Sequence, residues 1–152
     1  MATDREDLEA NLAASFDRDT LAVYADFLQS IGDPRGELIA LDLQIEAHAD
    51  HAAPAPGPRY RYAPAGLVDR RATLLATWLR ALVPSDPTRG WIGDQVRFGF
   101  LDNLELGAHS TEERDRLLAI LASPVGPYVR GVTIRGATHD LVESLAVLAR
   151  SP

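Results

Sequence analysis

The charged residues between Asp26 and Glu37 are those whose types and spacing could perform chemistry. Asp26, Asp33 and Glu37 place three carboxylates around Arg35 in one short stretch of the chain. Carboxylates beside an arginine can exchange protons with a substrate or hold a divalent cation. This acidic cluster (Asp26, Asp33, Arg35 and Glu37) therefore indicates one candidate function, a small-molecule or metal-binding domain or a hydrolase.

The same cluster has a structural interpretation, which we favour. Asp33-Pro34-Arg35-Gly36 is typical of a turn, in which the carboxylate accepts nearby backbone N–H groups, proline fixes φ and glycine permits positive φ. Asp26 lies beside an apolar helical stripe and is expected to pair with Arg35, which would lock two helices together. On this interpretation the cluster contains no catalytic residue.

The sequence lacks residues or motifs that several other reaction chemistries require. The chain contains no cysteine, which excludes thiolate nucleophiles, thiolate zinc sites and disulfides. Its four histidines show no metal-ligand spacing, and the chain has no lysine for a P-loop and no G-x-S-x-G or G-x-G-x-x-G motif. We expect neither a metal nor another cofactor.

The charge balance argues against nucleic acid and membrane partners. The 152 residues include 22 acidic and 15 basic side chains, a formal net charge of −7, and such a chain repels phosphate backbones and anionic lipids. Arg59-Tyr60-Arg61-Tyr62 alternates base and aromatic like a single-strand-binding segment, but four residues are weak evidence. No long apolar run or signal peptide is evident. With the absence of cysteine, this predicts a cytoplasmic protein.

The elements that must position these residues follow from apolar spacing. Residues 1–48 are predicted to form a helical domain, and residues 49–66, which hold four prolines, to form a linker. Residues 67–152 are predicted to hold a further helix and then α/β units. The individual predictions are helices over 3–16, 21–31, 37–47 and 67–83 and a strand over 96–100.

An internal repeat decides the predicted fold class. Residues 101–106 and 129–134 both fit L-x-x-L-x-L and lie 28 residues apart, which is a leucine-rich-repeat period. The helical positions that follow keep the same offset, and after the second repeat segment a helix is predicted over 138–150. The prediction is an α/β protein whose helical domain precedes a short leucine-rich-repeat-like half, with a small parallel sheet and helices on one face. The alternative is a plain α/β sandwich in which the repeat is partly accidental.

Residues 21–28 and 32–41 resemble a known family. They read LAVYADFL and GDPRGELIAL, similar to the signature VYADWLEE-x-GD-x-RGEFIxLQ of the bacterial repeat-companion domain of myxobacteria and planctomycetes. Phe27 stands where the family usually has tryptophan, and Leu38 where it often has phenylalanine. The resemblance covers about the first third of the chain and implies an architecture preceding leucine-rich-type repeats, without an activity. Its matching motif residues are Tyr24, Asp26, Asp33, Arg35, Gly36 and Glu37.

The residues between the repeat leucines supply the predicted binding surface. In repeat proteins these positions face an open concave surface where partners bind. Their mixed charge suits a protein or a second copy of the chain better than a small substrate, which needs a deep apolar pocket. We therefore predict a non-catalytic protein-interaction or adaptor module whose partner-binding residues are Asn103, Glu105, Arg130, Thr133 and Arg135.

Overall fold

A computed structural model describes residues 2–50, 63–82, 95–101, 104–107 and 111–135. Most of the predicted linker, the predicted helix after residue 138 and the partner-binding residue Asn103 lie outside these residues. A short 3-10 turn, Gly126–Tyr128, precedes the last strand. The helices and strands are α1 (Ala2–Ala14), α2 (Arg18–Ser30), α3 (Pro34–Asp50), α4 (Ala65–Leu82), β1 (Val96–Arg97), β2 (Phe100–Leu101), β3 (Leu104–Gly107), α5 (Thr111–Leu121) and β4 (Val132–Arg135).

The α/β leucine-rich-repeat-like fold class predicted from the sequence is wrong. Helices hold most of the described residues, and the strands, of two to four residues each, form two separate two-stranded sheets. β3 and β4 do run parallel, and Leu104 lies opposite Val132 in a register that reproduces the 28-residue offset. A two-stranded sheet is too small to support a layer of helices by itself. Helix packing therefore takes over most of the apolar burial.

The chain divides into two compact units. The first unit comprises Met1–Ala81 and Arg97–Gly99, and the second comprises Leu82–Val96 and Phe100–Pro152. The sequence pattern places the helix predicted over 67–83 in the C-terminal half, whereas α4 belongs almost entirely to the first unit. Two ion pairs join α4 to α3 within this unit.

Local capping chemistry fixes both ends of α2. The Asp17 carboxylate accepts a hydrogen bond from the Thr20 backbone N–H at 2.9 Å, which satisfies one of the free donors of the first turn. At the other end, Gly32 has φ +75°. Its N–H donates to the Gln29 carbonyl at 3.0 Å, and the Asp33 N–H donates to the Leu28 carbonyl at 2.9 Å. These two bonds form a Schellman motif, so α2 ends where the sequence predicts.

The core of the first unit lies between its helices, where α2 packs against α1 and α3. Its large, fully buried side chains recur at helical spacing, as the sequence pattern predicts. Apolar area removed from water stabilises this packing by roughly 25 cal/mol per Å². The core residues of the first three helices are Leu12, Leu21, Tyr24, Ala25, Leu28, Leu38, Ile39, Leu41 and Ile45.

Among the described residues of the second unit, the buried apolar side chains are Val96, Leu101, Leu117, Ile120 and Val125. Leu101 forms a parallel bridge with Val129, and its carbonyl accepts the Arg130 N–H at 2.9 Å. These contacts bring the starts of the two repeat segments together.

Candidate functional site

Asp33 and Arg35 form a local ion pair at the start of α3. The Arg35 guanidinium donates to the Asp33 carboxylate from Nε at 3.1 Å and from Nη2 at 2.6 Å, and the Arg35 backbone N–H donates to Asp33 Oδ1 at 2.9 Å. Burial alone would raise the pKa of Asp33, but these bonds hold it below its usual value. The Asp33 carboxylate is therefore bound to the guanidinium of Arg35, a residue that is only 2% exposed.

The predicted pair between Asp26 and Arg35 is wrong. Asp26 is exposed on α2, while Arg35 is bound by the carboxylate two residues before it. Because Asp33 caps the first turn of α3, its side chain reaches Arg35 without ordering any other element. The predicted hydrogen bonding of Asp33 to local backbone N–H groups is confirmed.

The fourth member of the acidic cluster points elsewhere. Glu37 Oε1 accepts a hydrogen bond from Arg70 Nε of α4 at 2.7 Å, in a pair that is largely exposed. The carboxylates of Asp33 and Glu37 thus serve different arginines, and Asp26 faces solvent. Within the described ranges, no three His, Cys, Asp or Glu residues are grouped so that they could hold a metal ion. The cluster therefore does not form a convergent site there.

Tyr24, another motif residue, ties α2 to α1. Its hydroxyl donates to Glu9 Oε1 at 2.9 Å, and Arg5 Nε donates to the same oxygen at 2.8 Å. Burial raises the pKa of Tyr24, so the hydroxyl stays protonated and acts as a donor at neutral pH. This arrangement is structural, because the ring is 1% exposed.

Gly36 has a role other than the one predicted from the sequence. Its φ is not positive, since the positive-φ glycines among the described residues are Gly32 and Gly99. Gly36 instead lies where α3 approaches α2 closely: a Cβ on it would lie 2.6 Å from the Ala25 carbonyl oxygen and 2.7 Å from the Gln29 nitrogen. Only a residue without a side chain permits this helix contact.

A buried ion pair between α3 and α4 is not among the contacts predicted from the sequence. Arg71 donates to Asp42 through Nε and through Nη2, the latter at 3.4 Å, and the two residues are 7% and 3% exposed. Asp42 Oδ2 also accepts the Phe98 backbone N–H at 2.6 Å. Burial outweighs these favourable partners and raises the pKa of Asp42.

Phe98 lies in a tight turn rather than in the single strand predicted over 96–100. Phe98 and Gly99 have φ values of 52° and 69°, so both are left-handed, as in the two-residue turn that joins paired strands. A bulky residue rarely adopts this conformation, and it persists where surrounding contacts enforce it. Here the Phe98 ring packs edge-on to Phe16 at 6.0 Å, and the Arg97 guanidinium lies 4.9 Å from its centre.

A second ion pair fixes the same turn to α3. Arg97 donates from Nε to Glu46 Oε1 at 3.0 Å, and Arg18 of α2 lies 3.8 Å from the other oxygen. A sequence signal for this network existed, because Asp42 and Glu46 follow Leu38 at successive four-residue steps. Acidic residues at that spacing fall on the buried side of a helix and require basic partners.

The predicted partner-binding residues that the structure describes lie in or near the parallel strands. Glu105 is the register partner of Thr133, and Gly107 is the register partner of Arg135. Thr133 and Arg130 are exposed. Three of the five predicted residues lie in this strand pair, and Arg130 lies two residues before β4. The fifth, Asn103, lies outside the described residues.

Comparison with known proteins adds no assignment: no family model, curated protein or solved structure matches this chain. The resemblance to the repeat-companion domain accordingly stays a prediction. In the described part of the chain, no helix combines the length and the apolar character needed to cross a bilayer.

Proposed function

We propose that this chain is a non-catalytic protein-interaction module that binds a partner protein along the β3–β4 strand pair. The observation that carries the proposal is the parallel register, which sets Glu105 beside Thr133 and Gly107 beside Arg135. The acidic position Glu105 on β3 and the basic position Arg135 on β4 thus lie two residue pairs apart along the strand pair. Exposed Thr133 and Arg130 extend the same region.

The type of partner follows from the chemistry of this region. Protein interfaces use polar rims and charge complementarity for specificity, whereas small substrates are bound in concave, largely apolar pockets. The enzyme alternative has less support, because Asp33 and Glu37 of the acidic cluster already bind arginines of the chain. A cytoplasmic location, expected from the absence of cysteine, remains part of the prediction.

The experiment is affinity capture with the immobilised full chain, using the charge-swapped variant Glu105→Arg/Arg135→Glu. A matched control, Glu6→Arg/Arg80→Glu, exchanges two exposed charges on helices of the other unit and leaves the net charge unchanged. A specific partner should be retained by the wild type and by the control, and lost by the charge-swapped variant. Equal retention by all three would move the binding surface elsewhere, and a copurifying small molecule without any protein would favour the enzyme alternative.

A further inference from the structure

A row of apolar side chains along α2 and its C-cap residue Ile31 is incompletely covered, and its middle member, Phe27, is half-buried. Val23, Phe27 and Ile31 follow one another at four-residue steps, and Val23 and Ile31 are 55% and 43% exposed. These two are the exposed large apolar residues in the part of the chain that the structure describes. Side chains four residues apart form a raised ridge along a helix. We call this row the α2 ridge (Val23, Phe27 and Ile31).

The rest of α2 holds the ridge in a fixed orientation. The buried residues of the helix, among them Leu21, Tyr24 and Leu28, lie next to the ridge on one side, and both ends of the helix are capped. The ridge is thus presented by a helix that cannot rotate to hide it without breaking that packing. An exposed apolar row on a rigid element is typical of an interaction surface.

Acidic side chains flank the ridge on one side. Asp19 and Asp26, seven residues apart, are both exposed and lie on the same side of the helix. Asp19 is in the first turn, where a negative charge stabilises the helix dipole. Asp26 lies mid-helix and gains no such benefit. The one basic residue of α2, Arg18, is directed to Glu46 of α3. The exposed side of α2 is therefore apolar and acidic.

We propose that the α2 ridge binds a basic amphipathic helix of a partner protein. A ridge of this kind packs into the groove between side-chain rows of another helix, and lysine or arginine beside that groove would complement Asp19 and Asp26. A second copy of this chain fits less well, because symmetric packing of α2 on α2 would bring the two Asp26 carboxylates together. This proposal uses a different surface from the strand pair and does not depend on it.

The test measures binding of labelled synthetic peptides to the full chain by fluorescence anisotropy. The probe is a helix of about five turns with leucine along one side and lysine and arginine on its flanks. One comparison peptide carries glutamate in place of the basic residues, and another has the basic sequence scrambled so that no apolar side forms. We expect binding of the basic amphipathic peptide alone, with an affinity that falls as salt is raised.

Variants of the chain locate the binding. Val23→Ser/Ile31→Ser removes the ridge and should weaken binding about tenfold or more. Asp19→Asn/Asp26→Asn should weaken it less and should reduce the salt dependence. Ala22→Ser, at an exposed position of the same helix outside the ridge, is the matched control and should bind like the wild type. Circular dichroism establishes that each variant folds.

Four results would overturn the proposal. They are the absence of detectable binding by the basic peptide, equal binding of all three peptides, and unchanged binding by the Val23→Ser/Ile31→Ser variant. The fourth is concentration-dependent dimerisation in sedimentation that this variant abolishes, because the occupant of the ridge would then be a second copy of the chain.

Discussion

Replacing Arg71 with methionine should destabilise the first unit by about 3 to 5 kcal/mol, the usual consequence of leaving a buried charge without its partner. Arg71 and Asp42 are 7% and 3% exposed, so water cannot compensate for the lost guanidinium. The apolar methionine side chain keeps most of the volume. The loss therefore reports mainly on the electrostatic pair and little on a cavity.

The destabilisation should depend on pH. Burial already raises the pKa of Asp42 in the presence of Arg71, and removal of the guanidinium raises it further. A folded-state pKa above the unfolded value means that the folded chain binds the proton more tightly, so stability increases as pH falls through that pKa. Arg71→Met should thus be most destabilising near neutral pH and less so in mild acid.

The assay is urea unfolding followed by far-ultraviolet circular dichroism, with Arg71→Met, Asp42→Asn and the double variant forming a thermodynamic cycle. The amide in Asp42→Asn can still accept the Phe98 N–H, so the cycle isolates the charge pair. We expect a coupling energy of about 2 kcal/mol or more. Arg70→Met is the matched control, because Arg70 is the neighbouring residue in a largely exposed pair that should contribute about 1 kcal/mol or less.

The reasoning would be refuted if Arg71→Met cost no more than Arg70→Met, or if the coupling energy were close to zero. Either result would mean that the pair does not join α3 to α4. A destabilisation that did not decrease in mild acid would show instead that the Asp42 carboxyl does not take up a proton there.

Three further predictions test other parts of the account. Gly36→Ala should destabilise the chain by about 1 to 3 kcal/mol, because the added Cβ would clash with the backbone of α2. Gly66→Ala, whose added Cβ meets no atom within 4 Å, should be neutral or stabilising by up to about 1 kcal/mol. Equal urea midpoints for the two variants would contradict this prediction. Asp33→Asn should destabilise the chain at neutral pH, and the difference in unfolding free energy from the wild type should shrink as pH falls below about 4. The reason is that a lowered folded-state pKa of Asp33 gives stability that is lost when the carboxylate is protonated. A free-energy difference that stays constant in acid would count against this prediction. Asp26→Ala should shift thermal stability by no more than about 0.5 kcal/mol, and a larger loss would restore Asp26 as a structural partner.

The sequence predicted the local features of the first unit well, because they depend on nearby residues. The end of α2 at Gly32 and the capping by Asp33 follow from turn chemistry that operates over a few positions. The apolar spacing located all four long helices for the same reason. Two local predictions were wrong, the positive φ of Gly36 and the single strand over 96–100. The remaining errors in this unit concern which distant charges meet. The sequence spacing favoured Asp26 for Arg35, but Asp33 was nearer in space and needed no other element to move.

The wrong fold class has a different cause. The repeat at 101–106 and 129–134 correctly marks two segments that pair in parallel, but a period alone does not show how many strands join the sheet. The buried pair of Asp42 and Arg71 was missed because charged residues on a helical pattern are ordinarily read as solvent-exposed. Its signal was the four-residue spacing of Asp42 from Leu38 and of Arg71 from Leu75, which puts the charges on the apolar side of each helix.

Site-specific photocrosslinking in the cells that make the protein tests the central claim most directly, namely that the chain binds proteins along its strand pair while its charged cluster serves the fold. A photoreactive residue would replace Thr133, and a second variant would carry it at Asn11, exposed on α1. The account predicts a discrete protein adduct from position 133 that is absent from position 11. No protein adduct at 133, or the same adducts from both positions, would contradict it.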